Sequence, residues 1–148
     1  MQYDNPGSTV RIARRPILPM LVPFPIACFV GALLTDIAYW RTAEMMWADF
    51  SAWLLTVGIV MGVLAAIANL IDALRHASVR AQNPWLHALG IALVLVLSLF
   101  NTLVHSRDAW TSVVPTGLIL SVVVVLILPF TGWIGWSPAY RERVGVAE

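Results

Sequence analysis

Four long stretches of this chain carry no Asp, Glu, Lys or Arg: residues 16–35, 50–71, 81–106 and 109–140. A helix needs roughly 20 apolar residues, rising about 1.5 Å each, to cross ~30 Å of hydrocarbon. Each stretch meets that length, and the charged residues gather in the gaps and at the ends. Soluble domains carry about 25% charged residues, whereas this chain of 148 residues has 11% charged and 59% hydrophobic. The runs are continuously apolar rather than alternating. They therefore read as helices, which satisfy their own backbone groups inside lipid, and not as strands of a barrel. The expected fold is all-α, an integral membrane four-helix bundle.

Residues 1–15 are polar, end in Arg11, Arg14 and Arg15, and are expected to form a flexible segment. Residues 16–136 form the expected transmembrane domain, with helices at about 19–40, 48–74, 84–105 and 114–136, and residues 137–148 a short tail. Pro19, Pro23 and Pro25 crowd the start of the first helix. Proline suits a first turn and breaks an interior, so residues 16–25 are expected to be an irregular or kinked approach. Asn83-Pro84 pairs a helix cap with proline at the first helical position, and Pro129 predicts a kink in the fourth helix. Arg14-Arg15 before an apolar run also suits a secretory signal. That run is longer than a signal core and no small-x-small site follows, so the first helix is expected to remain uncleaved.

Orientation follows from the nine basic residues, all of them arginine. Arg11, Arg14, Arg15, Arg75, Arg80, Arg141 and Arg143 fall on one side of the expected membrane, Arg41 and Arg107 on the other. Basic residues stay cytoplasmic, which predicts both termini in the cytoplasm. Trp40, Trp47, Trp53 and Trp110 near the outer helix ends, with Trp85, Trp133 and Trp136 near the inner ends, suit the aromatic belts of the two interfaces. The charge is nearly balanced, and nothing points to nucleic acid. The single cysteine, Cys28, leaves no intrachain disulfide and no CxxC metal motif.

Polar residues inside a membrane carry more information, because they are costly there and face the bundle interior. Two groups stand out. The inner one is Asn69, Asp72 and His87, which Met20 could oppose. The outer one is Asp36, Asn101 and His105. His87 and His105 are 18 residues apart, five helical turns, so they share a face of the third helix but lie roughly 27 Å apart. They cannot ligate one iron. Interhelical hydrogen bonding explains both groups; a carboxylate beside a histidine would also serve proton transfer or contact with a quinone. Val94 and Leu97 leave an apolar gap between the groups, which counts against ion conduction along this face. Gly58, Gly62 and Ala66, spaced four apart on the second helix, let backbones approach closely, within the bundle or at a homodimer or partner interface. GxSxG, P-loop, HExxH and dinucleotide motifs are all lacking, so the sequence leans away from an enzyme.

The chain resembles the small four-helix bacterial membrane proteins grouped as domain of unknown function 2231. The likeness rests on Pro19-Met20-Leu21-Val22-Pro23-Phe24-Pro25 with Asp36, on Asp72, and on Trp85-Leu86-His87-Ala88-Leu89-Gly90. It continues through His105-Ser106-Arg107-Asp108, Gly132-Trp133-Ile134-Gly135, Tyr140 and Val144-Gly145-Val146, and spans roughly residues 15–146. Family members typically carry His-Pro where Leu18-Pro19 stands here, asparagine at Ile91 and glycine at Asn69. A histidine at 18 would lie at the depth of His87 and could complete a haem or metal pair, which Leu18 removes. The resemblance implies a multi-pass protein of the bacterial cytoplasmic membrane and supplies no activity. The resulting expectation is a non-catalytic accessory or interaction subunit of a membrane complex, in contact with lipid and with a membrane-protein partner or its own copies, and without a metal or other cofactor. The alternative is a redox-linked protein binding haem b or a quinone near His87.

Overall fold

The computed structural model describes residues 20–75, 84–106 and 113–144. They form four helices, α1 (Pro23–Thr42), α2 (Met45–Arg75), α3 (Pro84–His105) and α4 (Leu118–Val144). A wide turn of π-type, Val113–Gly117, leads into α4. The expected flexibility of residues 1–15 lies outside the described residues.

Helix boundaries follow local chemistry. α1 opens with Pro23 and Pro25 both inside its first turn. The first amides of a helix lack intrahelical acceptors, so proline removes nothing there. Residues 23–25 are thus regular helix rather than the irregular approach expected from their prolines. α1 closes at Ala43, a left-handed residue at φ 55°, whose N–H donates to the Tyr39 carbonyl at 2.8 Å. The chain has reversed by that point, so α2 begins at Met45, earlier than the expected residue 48. Val114 is extended (φ −119°, ψ 122°), as the clash with the following Pro115 ring favours. Regular helix therefore begins at Leu118, not at Val114. α4 then runs through Pro129 and on to Val144, so the segment expected as a tail after residue 136 is partly helical.

Each helix packs against its neighbours in chain order, and α4 returns to α1, closing a four-sided bundle. Its centre is the cluster of Phe29 and Ala32 from α1, Leu55 from α2, Val94 from α3 and Val124 from α4. The small residues of α2 are used within this packing. A Cβ on Gly58 would stand 2.8 Å from Phe29 Cε1, and one on Gly62 would stand 2.8 Å from Leu95 Cδ2. Cys28 is half-buried beside Gly58.

Seen from outside, the bundle inverts a soluble protein. Val60, Leu64, Leu70, Leu99, Leu126 and Phe130 are exposed, while Asp36, Ser51, Ser98, Asn101, Ser121 and Thr131 are buried. All four helices are long and apolar enough to cross a membrane. Such an exterior is stable against hydrocarbon and unstable against water, so the surface of this bundle contacts lipid.

Candidate functional site

The outer polar group is assembled in full and is larger than expected. Asp36 lies in α1 six residues before its end and is completely buried. His105, the last residue of α3, places Nε2 2.9 Å from Asp36 Oδ1, with both side chains buried. Its Nδ1 lies 2.9 Å from the backbone carbonyl of Asn101, one turn earlier. Ser121 of α4 donates to Asp36 Oδ2 and accepts from Asn101 Nδ2 at 2.7 Å. The four side chains tie α1, α3 and α4 together. Gly117 makes room for them: a Cβ there would stand 2.8 Å from His105 Cε1 and 3.3 Å from Asn101 Oδ1. Asn101 Oδ1 and Ser98 Oγ are buried with no hydrogen-bond partner.

The inner group is looser. A cavity of about 170 Å³ lies between the four helices and is almost wholly apolar. Val22 just before α1, Pro25 and Phe29 of α1, Gly62, Ala66 and Asn69 of α2, His87, Ile91 and Val94 of α3, and Leu128, Thr131 and Gly132 of α4 all contribute to its wall. On α1, α2 and α3 the spacing is three to four residues, one face of each helix. His87 Nδ1 lies 3.1 Å from the Thr131 backbone carbonyl. A carbonyl only accepts, so Nδ1 carries the hydrogen and neutral His87 keeps a bare lone pair on Nε2. Gly90, one turn along α3, allows this approach: a Cβ there would stand 2.9 Å from Thr131 Oγ1.

The structure thus brings Asn69 and His87 to one cavity. Met20 is not with them. It is 69% exposed and outside the cavity wall, because it precedes Val22 by two residues and points away from the 22–25–29 face. The Asp72 side chain lies outside the described residues. Ala66 lines the cavity, and Gly58 and Gly62 face helices of the same chain, so the intrabundle role weighed for these three is the one the packing displays.

Ser121, Gly117 and the Thr131 carbonyl were not singled out from sequence. Ser121 could have been, since it is the lone polar side chain between Leu118 and Pro129. Gly117 precedes a helix, where glycine has many uses, and a carbonyl carries no sequence signal. A second polar contact also went unnoticed: Thr35 of α1 meets Ser51 of α2 at 2.7 Å, and Ser51 also donates to the Ala32 carbonyl.

A lipid-facing exterior, four helices long and apolar enough to cross and a few buried polar groups define an integral multi-pass membrane protein. Residues 14–148 match the family described as "Predicted membrane protein (DUF2231)", and the chain belongs to that family. No curated protein and no solved structure matches it.

Proposed function

We propose that this membrane protein binds a ring compound of the quinone and quinol class in the cavity beside His87. The observation that carries this is an apolar cavity whose wall includes the polar side chains of His87 and Asn69. Apolar cavities with few, convergent polar groups are the usual form of small-molecule sites. A cavity of about 150 Å³ in another protein holds benzene, so about 170 Å³ suits one ring. The bare Nε2 of neutral His87 is an acceptor for a ring hydroxyl, and the Asn69 amide can donate or accept. The quinol form is therefore the better ligand. Haem b fits less well, since drug-sized ligands occupy pockets of roughly 300 Å³ or more and the wall supplies one imidazole and no methionine.

An accessory role in a membrane complex remains compatible with this binding. The internal use of Gly58 and Gly62 takes away the main sequence reason for a homodimer. The arginine distribution supports both termini on the cytoplasmic side, and the family resemblance supports a bacterial cytoplasmic membrane.

The test is a titration of the purified protein with a short-chain ubiquinol analogue and its oxidised form, read by tryptophan fluorescence. Saturable binding is expected, tighter for the quinol. His87→Ala removes one hydrogen bond of about 0.5–1.5 kcal/mol and weakens quinol binding about 2- to 10-fold. Absence of saturation, or equal affinity in the variant, rejects the assignment.

A further inference from the structure

We propose that Asp36 and His105 form a buried proton-binding site that holds one exchangeable proton between them. His105 Nδ1 faces the Asn101 carbonyl at 2.9 Å, and that carbonyl can only accept. The hydrogen of a neutral imidazole is therefore committed to Nδ1. Without a further proton, Nε2 would be a lone pair and Asp36 Oδ1 a carboxylate oxygen. Two acceptors would then face each other at 2.9 Å, a hydrogen-bonding distance. Close contact requires a proton between them. It resides on His105, giving an imidazolium–carboxylate pair, or on Asp36, giving an acid that donates to neutral imidazole. Either way the pair is neutral overall.

Burial makes that count of one proton matter. Both side chains are fully buried. Removing the proton leaves an unpaired carboxylate in a buried site, and adding a second leaves an unpaired cation; both are strongly unfavourable. No other charge is placed to compensate among the described residues. On α1, Tyr39 is buried with its hydroxyl directed to Met45 Sδ, and Arg41 is exposed against Trp40. Glu44 before α2 and Asp49 within it are exposed. Residues 113–134 of the turn and α4 contain no titratable group.

The neighbouring hydrogen bonds fit a proton that can sit on either partner. With Asp36 ionised, Asn101 Nδ2 donates to Ser121, and Ser121 donates to Asp36 Oδ2. With the proton on Oδ1, donated to Nε2, Oδ2 still accepts from Ser121 and Ser121 still accepts from Asn101, so both states keep every one of these bonds. No part of this depends on the cavity beside His87.

The test uses the full chain in lipid nanodiscs, with nitrogen-15 histidine and carbon-13 aspartate, read by solid-state NMR across a pH series. The expected result is that His105 nitrogens and the Asp36 carboxyl change together in one shared step, with the loss of one proton as pH rises. Asp36→Asn supplies an amide that can donate to Nε2, so the shared step is lost and His105 stays neutral with Nδ1 protonated. If that variant does not fold, His105→Gln serves instead: its amide still donates to Asp36, and the Asp36 carboxyl titrates without the shared step. Separate steps for the two wild-type groups, or an ionised Asp36 beside an unprotonated Nε2 at neutral pH, would overturn the proposal. So would an unchanged Asp36 titration in His105→Gln.

Discussion

Gly117→Ala tests whether the outer network depends on a close fit around the His105 ring. The added Cβ would stand 2.8 Å from His105 Cε1, 3.3 Å from Asn101 Oδ1 and 3.4 Å from His105 Nδ1. Carbon atoms pack best at about 3.5–4.0 Å, so the ring must move by several tenths of an ångström or more. It is not free to do so, because both of its nitrogens are engaged, at 2.9 Å each. Overpacking of this kind costs about 1–3 kcal/mol. A shift large enough to break the bond to Asp36 adds about 1.5–3 kcal/mol, the range for a hydrogen bond to a charged group. A loss of roughly 2.5–6 kcal/mol is expected from the two together. The assay is reversible unfolding in mixed micelles, by dodecyl sulfate titration with tryptophan fluorescence, on the wild type, Gly117→Ala, His105→Ala and the double variant. Removing the imidazole removes the clash, so the methyl group should cost less than about 1 kcal/mol in the His105→Ala background, leaving a coupling of about 1.5 kcal/mol or more. Equal costs in the two backgrounds would locate the effect in the turn backbone and refute the fit around His105.

Two further outcomes are expected. Gly58→Ala places a Cβ 2.8 Å from Phe29 Cε1 and 3.1 Å from Cys28 Cβ, and should destabilise the bundle by about 1–3 kcal/mol in the same unfolding assay; Phe29→Leu should relieve part of that loss, and a neutral Gly58→Ala would contradict the α1–α2 packing. Fluorescent-protein fusions at each terminus should both be bright and alkaline phosphatase fusions at each should both be inactive, as the seven-to-two division of arginines predicts; activity at either end would reverse the orientation.

The four helices were legible because each is a long uncharged run, and Pro84 stands at the start of α3, while the Asn83 cap lies outside the described residues. Boundaries were less legible where proline was involved. Pro23 and Pro25 suggested irregularity, yet both sit where a helix has amides to spare. Pro115 acted on its predecessor, holding Val114 out of the helix. At the outer site, Asp36, Asn101 and His105 could be grouped from depth and helical phase alone. Ser121 stands out as the lone polar side chain between Leu118 and Pro129, but joining it to Asp36 requires knowing that α4 returns beside α1. Met20 failed in the inner group for a related reason: depth placed it near His87, but helical phase turns it the other way.

The core separates the two polar sites as well as supporting them. Phe29, Leu55, Val94 and Val124 meet between the cavity and the Asp36 network, and no continuous polar path crosses that layer among the described hydrogen bonds. No described hydrogen bond joins the two sites, so a coupling between them would run through packing. Both histidines lie on α3, and each is seated against the α4 side by a glycine-sized gap: Gly90 against Thr131 at the inner end, Gly117 against His105 at the outer end. A slide of α3 along α4 would disturb both seats at once, since neither gap accommodates even a methyl group without movement. If binding in the cavity and protonation at Asp36–His105 each shifted the α3–α4 register, the two would be linked, and the linkage would be reciprocal.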